Sequence, residues 1–127
     1  MSARRTFHIA PASTWPTQAG GELAPPSLAS EGFVHLSYAD QLAGTLLAHF
    51  GDAPPQCLLE VAPERIADAL RVEPSRGGDL FPHLYRALRS EDVLRWWPLS
   101  RAENGSWSLP RLGATSDADS PQGTARG

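Results

Sequence analysis

Short apolar runs separated by proline, glycine and polar residues dominate this chain, and they predict short strands. The runs predicted as strands are residues 6–10, 31–37, 56–61, 71–73, 93–99 and 106–109. Asn104-Gly105, between the last two runs, is the dipeptide most typical of a tight hairpin turn. The end of the folded part is therefore expected to be a β-ribbon.

Apolar residues at helical spacing mark the segment from Tyr38 to Phe50, which is the clearest helix prediction in the sequence. Ser37 and Asp40 resemble a capping pair at its start. Shorter helices are predicted over residues 13–20 and 63–70, where proline lies near the first turn. This mixture of short strands and helices predicts an α+β domain.

Two segments combine histidine with aromatic neighbours. In the predicted strand 31–37, alternation puts His35 on the face opposite Val34. Residues 80–85, Leu-Phe-Pro-His-Leu-Tyr, contain Pro82, which cannot donate to a strand ladder. This second segment is therefore predicted to lie at a sheet edge or in an irregular turn.

Charge composition excludes several kinds of function. All eleven basic residues are arginine, so a Schiff-base lysine, a lysine general base and a P-loop lysine are impossible. The formal net charge of −3 provides no basic surface for duplex nucleic acid or an anionic membrane, and neither is expected as a partner. The oligomeric state stays open.

Three features bound the organisation of the chain. The single cysteine, Cys57, lies in an apolar run, which excludes an internal disulfide and predicts a buried thiol. No run of about 18 apolar residues is present and no signal-like segment follows the first arginines, so a cytoplasmic protein is expected. Residues 113–127 lack large apolar side chains and are predicted to be a disordered tail after one domain, residues 1–112.

Candidate chemistry rests on three histidines, because no motif of high information content is present. His8, His35 and His83 each lie in a short apolar or extended segment, and Arg76 and Tyr85 flank the last of them. Imidazole can donate, accept or carry a proton near neutral pH, and a loop arginine is suited to a phosphate or carboxylate. A shared pocket and separate structural roles both stay open. A zinc site is not expected, since the histidine separations match no common ligand spacing.

Four sequence blocks carry a family resemblance. They are Phe-His-Ile at residues 7–9, Ser-Glu-Gly-Phe-Val-His-Leu-Ser at 30–37, Leu-Leu-Glu-Val at 58–61 and Gly-Asp-Leu-Phe-Pro-His-Leu-Tyr at 78–85. Together they resemble an uncharacterised bacterial family, domain of unknown function 952 (DUF952), over about residues 4–99. The second and fourth blocks are long enough to make coincidence an inadequate explanation.

The resemblance implies an ADP-ribosyltransferase-like fold, with a small, split and bent β-sheet and short helices. It also implies a small-molecule nucleotide partner, with NAD as the cofactor and no metal. By this resemblance, His8 would hold ribose and His35 would lie beside nicotinamide. The residues assigned to catalysis are His35 and His83, and those assigned to cofactor binding are His8, Ser37, Tyr38, Arg76 and Tyr85.

The sequence departs from the transferase pattern at one point. Many transferases carry a glutamate near the third motif that activates the acceptor, whereas residues 80–85 contain none. Three readings stay open. The first is an enzyme for ADP-ribosyl transfer, 2′-phospho transfer or NAD glycohydrolysis. The second is a catalytically inactive module that binds a nucleotide or a protein, and the third is a metal-dependent hydrolase using the histidines.

Overall fold

The computed structural model describes residues 4–15 and 21–112, and the fold consists of short strands with two helices in this part of the chain. The strands are β1 (Thr6–Pro11), β2 (Glu22–Leu23), β3 (Val34–His35), β4 (Ser37–Tyr38), β5 (Gln56–Val61), β6 (Leu70–Pro74), β7 (Leu80–Leu84), β8 (Leu88–Arg89), β9 (Val93–Pro98), β10 (Ser100–Arg101) and β11 (Trp107–Ser108). The helices are α1 (Pro26–Glu31) and α2 (Leu42–His49). The predicted tail at 113–127 and most of the predicted helix at 13–20 lie outside the described residues.

Antiparallel pairing organises the strands into two main sheets. One sheet has four strands in the order β4-β1-β5-β9, and the other has three in the order β3-β7-β6. Two small ribbons, β2 with β8 and β10 with β11, complete the described sheets. The α+β prediction is confirmed. No helix within residues 4–15 and 21–112 has the length and apolar character needed to cross a membrane.

The chain passes directly from one main sheet to the other at Leu36. Strand β3 pairs with β7, whereas β4, one residue later, pairs with β1. The pairing of β4 with β1 covers Thr6 and Phe7 and ends before His8. From His8 onward, β1 therefore separates from the polypeptide that returns through β3, and a gap opens between the two sheets.

Pro82, on β7, lies opposite Leu36, the residue at which the chain passes from β3 to β4. The Leu36 N–H donates to the Pro82 carbonyl oxygen at 3.0 Å, but the proline has no N–H to return a bond. The ladder between β3 and β7 therefore ends where the chain turns toward β4. The prediction of an edge or irregular segment at 80–85 is wrong for the strand as a whole, since β7 lies between β3 and β6.

Two apolar cores lie on opposite faces of the four-stranded sheet. The core beneath α2 is formed by Phe7, Ile9, Leu42, Leu46, Leu58, Trp97 and Leu99. The core that joins the two sheets is formed by Ala10, Trp15, Leu23, Val34, Leu36, Cys57, Leu59, Val61, Ile66, Leu84 and Leu88. Val34 is buried and His35 is exposed, which confirms that they lie on opposite faces, and the predicted burial of the free thiol Cys57 is confirmed.

Helix boundaries differ from the sequence prediction in physically simple ways. The segment after β4 begins as a 3₁₀ turn at Ala39–Gln41 before α2, and the Gln41 side chain, rather than Asp40, accepts the Tyr38 N–H at 3.0 Å. The predicted helix at 63–70 is wrong, because the chain forms a turn and a 3₁₀ segment and then enters β6 at Leu70.

The predicted strand at 31–37 is shorter than expected because α1 occupies its first residue. This helix was not predicted; it has Pro26 in its first turn and ends at Gly32, which has φ +93° and donates its N–H to the Leu28 and Ser27 carbonyls. The predicted ribbon around Asn104-Gly105 is confirmed by the pairing of β10 with β11.

Replacement of Gly32 by alanine is expected to lower the free energy of unfolding by about 1 kcal/mol, because an L side chain is strained in the left-handed region. Gly51→Ala is the matched control, since neither position has an atom within 4 Å of the added Cβ and only Gly32 has positive φ. Urea denaturation of both variants measures the difference. Equal stability of the two variants would contradict the role given to Gly32.

Candidate functional site

A cavity of about 610 Å³ lies where β1 separates from β3. Its volume is within the range of about 300–1,000 Å³ that is typical of small-molecule sites. Much of its wall is apolar and comes from Phe7, Ile9, Pro25, Pro26, Leu36, Phe50 and Phe81. Its polar groups come from His8, Ser27, Glu31, His35, Ser37, Thr45, His49 and Ser75. Apolar walls combined with polar groups are typical of small-molecule binding sites.

His8 bridges the gap between the two sheets. Its Nδ1 lies 2.9 Å from the carbonyl oxygen of His35, and because a carbonyl can only accept, Nδ1 must carry the proton. The ring is 7% exposed, and burial lowers its pKa to about 4 despite the opposing effect of the His35 carbonyl. At neutral pH, His8 is therefore an uncharged imidazole with its lone pair on Nε2.

His35 follows the bridge on the exposed side of β3. Its Nε2 lies 3.3 Å from Oε2 of Glu31, at the end of α1, and both side chains are about half exposed. Its ring meets Phe33 and His83 edge-on, with centroid distances of 4.8 and 5.4 Å. His35 thus connects the cavity wall to an aromatic cluster formed by Phe33, His83 and Tyr85.

His83 lies in that cluster rather than in the cavity wall. Its Nδ1 donates to Oε1 of Glu73 at 2.8 Å, and the Tyr85 hydroxyl donates to the same oxygen at 2.7 Å. Phe33 stacks on the imidazole with a centroid distance of 4.0 Å. The His83 Nε2 atom is buried and has no hydrogen-bond partner among the described residues.

The Glu73 carboxylate perturbs the titration of its neighbourhood. The hydrogen bond from Tyr85, followed by that from His83, lowers the pKa of Glu73 below its ordinary value. The hydrogen bond between Tyr85 and Glu73 raises the pKa of Tyr85, because an ionised phenol would no longer have a proton to donate to the carboxylate. Glu73 is thus an ionised carboxylate that holds two ring side chains in place.

The remaining predicted site residues are distributed unequally. Ser37 lies in the cavity wall, and its hydroxyl is 3.1 Å from that of Thr45 on α2. Tyr38 is buried and does not line the cavity. The guanidinium carbon of Arg4 lies 3.8 Å from the centroid of its ring. The side chain of Arg76 lies outside the described residues, although Ser75 beside it in sequence contributes to the wall.

Several polar residues near the site were not assigned to it from the sequence. Ser27, Glu31, Thr45, His49 and Ser75 line the cavity, and Glu73 holds His83. Glu31 and His35 are four residues apart in the sequence, but their contact could not be predicted because helix α1, which ends at Glu31, was not predicted. Among residues 4–15 and 21–112, no three histidine, cysteine or acidic side chains converge as a metal site.

The fold and cavity define a small α+β domain with a pocket between diverging sheets, and comparison with known proteins gives its family. Residues 9–96 match the family described as protein of unknown function DUF952, and this chain belongs to that family. The resemblance seen in the four sequence blocks is confirmed. Among curated proteins, none matches the chain.

Solved structures of one bacterial relative have a similar fold. The crystal structure of protein CC0527 from Caulobacter crescentus is 35% identical, has a TM-score of 0.71 and covers 83% of this chain and 94% of its own. The solution NMR structure of CC0527 is 35% identical, has a TM-score of 0.66 and covers 80% and 90% of the two chains.

The depressed pKa of His8 predicts that acid destabilises the protein. The unfolded chain binds a proton at this residue near pH 6.5 and the folded protein only near pH 4, so the unfolded state binds more protons between these values. We expect protonation of His8 in the unfolded chain to lower the free energy of unfolding by about 2 kcal/mol as the pH falls from about 7 to about 5. Denaturation of wild type and His8→Gln measures this as a flatter pH profile in the variant; parallel profiles would contradict it.

Removal of the Glu73 charge is expected to lower the pKa of Tyr85 toward the ordinary value of tyrosine, because the phenol loses an anionic acceptor. The chain has two tyrosines, so Tyr38→Phe isolates the absorbance change of Tyr85 during a titration. Glu73→Gln is compared with Glu103→Gln in this background, since Glu103 is exposed in the terminal ribbon. An unchanged Tyr85 titration in Glu73→Gln would contradict this contact.

Proposed function

We propose that the protein binds NAD or a related nucleotide in the cavity and acts as an ADP-ribosyltransferase-like enzyme. The observation that carries this proposal is the His8 bridge, which spans diverging sheets beside a cavity of about 610 Å³. A gap between two halves of a bent sheet, with a neutral imidazole at its floor, suits a ribose with a flat ring attached. ADP-ribosyl transfer, 2′-phospho transfer and NAD glycohydrolysis all use such a substrate.

Ribose binding is the role we assign to His8 and the neighbouring hydroxyls. With its Nδ1 proton committed to the His35 carbonyl, His8 offers a fixed Nε2 acceptor to a ribose hydroxyl. Ser37 and Thr45 add hydroxyl groups that both donate and accept. Because these groups are already oriented, little ordering of side chains accompanies binding.

His35 would then border the nicotinamide ring. Cleavage breaks the bond between the ribose C1′ and the ring nitrogen, and the bonding electron pair leaves with nicotinamide. Positive charge develops on the ribose, and fixed acceptors in a largely apolar cavity stabilise it more than water does. An acceptor hydroxyl or water then forms the new bond to C1′ and releases its proton to a base.

His83 is our candidate for holding the reactive geometry from behind His35. Glu73 accepts a hydrogen bond from its Nδ1 and so fixes the orientation of the ring, whose Nε2 atom is buried. Glu73, on the neighbouring strand β6, also places a carboxylate beside residues 80–85, which contain none. The catalytic role assigned to His83 requires access to the cavity past the His35 ring. The assignments of Arg76 to phosphate and of Tyr38 and Tyr85 to the cofactor stay predictions.

Calorimetric titration with NAD tests this function. We expect saturable binding to the wild type, weakened about tenfold in His8→Gln and His35→Ala because each loses one buried or partly buried hydrogen-bonding group. Leu47→Ala is the control, since Leu47 is 86% exposed on α2 and lies outside the cavity wall. No heat with NAD, ADP-ribose or nucleotide phosphates would overturn the proposal.

Release of nicotinamide distinguishes the enzyme from a binding module. We expect chromatography to detect slow release that is lost in His35→Ala. Saturable NAD binding without release by the wild type would instead favour the second reading, a catalytically inactive nucleotide-binding protein.

A further inference from the structure

The charges that line the cavity are unbalanced. Among its described lining residues, Glu31 supplies the one carboxylate and no arginine is present. The Glu31 carboxylate is anchored at 3.3 Å by Nε2 of His35, which is itself in the wall. His8 adds no charge, because burial keeps its imidazole neutral at neutral pH.

This distribution matters because the two ends of NAD differ in charge. The oxidised nicotinamide ring is a pyridinium with one positive charge, whereas the diphosphate carries two negative charges and ordinarily requires arginine, backbone N–H groups or a metal ion. A carboxylate beside a largely apolar wall attracts the first and repels the second, and both effects are stronger there than between groups fully surrounded by water.

We propose that the cavity holds the cationic N-ribosylpyridinium half of the nucleotide and that Glu31 selects it, with the phosphates lying outside the cavity. This inference rests on the proposed function and names the part of the substrate that is recognised. Glu31 is then a specificity-determining residue, and His35 positions it as well as bordering the ring. The adenine end gains nothing from Glu31, because adenine is uncharged.

Selection by charge has a direct consequence for redox state. Reduction of the pyridinium to a dihydropyridine adds a hydride and removes the positive charge while the rest of the dinucleotide is unchanged. Oxidised and reduced NAD are therefore matched probes that differ chiefly in the charge, and the planarity, of the ring that would face Glu31.

Calorimetry with nicotinamide riboside, ADP-ribose, oxidised NAD and reduced NAD tests the inference at a pH where free imidazole is uncharged. We expect wild type to bind nicotinamide riboside measurably and oxidised NAD about tenfold more tightly than reduced NAD. In Glu31→Gln, the preference for oxidised NAD is expected to fall to about twofold or less. Glu64→Gln is the matched control, because Glu64 is exposed and outside the cavity wall.

The outcomes separate this inference from the function on which it rests. Equal affinity of wild type for oxidised and reduced NAD, or an unchanged preference in Glu31→Gln, overturns selection by Glu31 and leaves NAD binding intact. Binding of ADP-ribose without nicotinamide riboside also overturns it. Absence of binding to every probe overturns both proposals. The wild-type comparison needs no substitution, so it remains informative if Glu31→Gln fails to fold.

Discussion

The hydrogen bond from His8 Nδ1 to the His35 carbonyl is the contact on which the architecture of the site depends. It joins β1 to β3 at His8, the first β1 residue beyond the pairing of β1 with β4. A strand ladder at this position would fill the space with polypeptide. The side-chain bond instead supplements the shared apolar core and the pairing of β3 with β7, and it leaves room for the cavity beside it.

Burial of this imidazole also fixes its chemistry. A charged ring would lose hydration that the single carbonyl contact does not replace, so the folded protein strongly favours the neutral form. The same ring therefore closes the fold and presents one lone pair of constant character. Burial of His8 thus links the stability of the domain to pH and fixes the polarity of one group in the cavity wall.

The sequence predicted the strands of the sheets better than their connections. Alternation placed His35 on the face opposite Val34, which is buried, and Asn104-Gly105 located the terminal ribbon. It did not reveal α1, whose six residues have too little apolar periodicity, or the central position of β7, because Pro82 argues against a paired strand. For the site, the short apolar or extended segments around the histidines identified these residues. Their partners, such as Glu73, depend on strand register, which is a long-range property.

Pro82 limits how far β3 can pair with β7. Here the carbonyl of residue 82 is occupied by Leu36 and its nitrogen has no hydrogen, so β3 cannot extend its pairing along β7. The covalent structure of one residue therefore sets the length of the β3–β7 ladder, and with it the point at Leu36, in the cavity wall, where the chain leaves β7 for the neighbouring sheet.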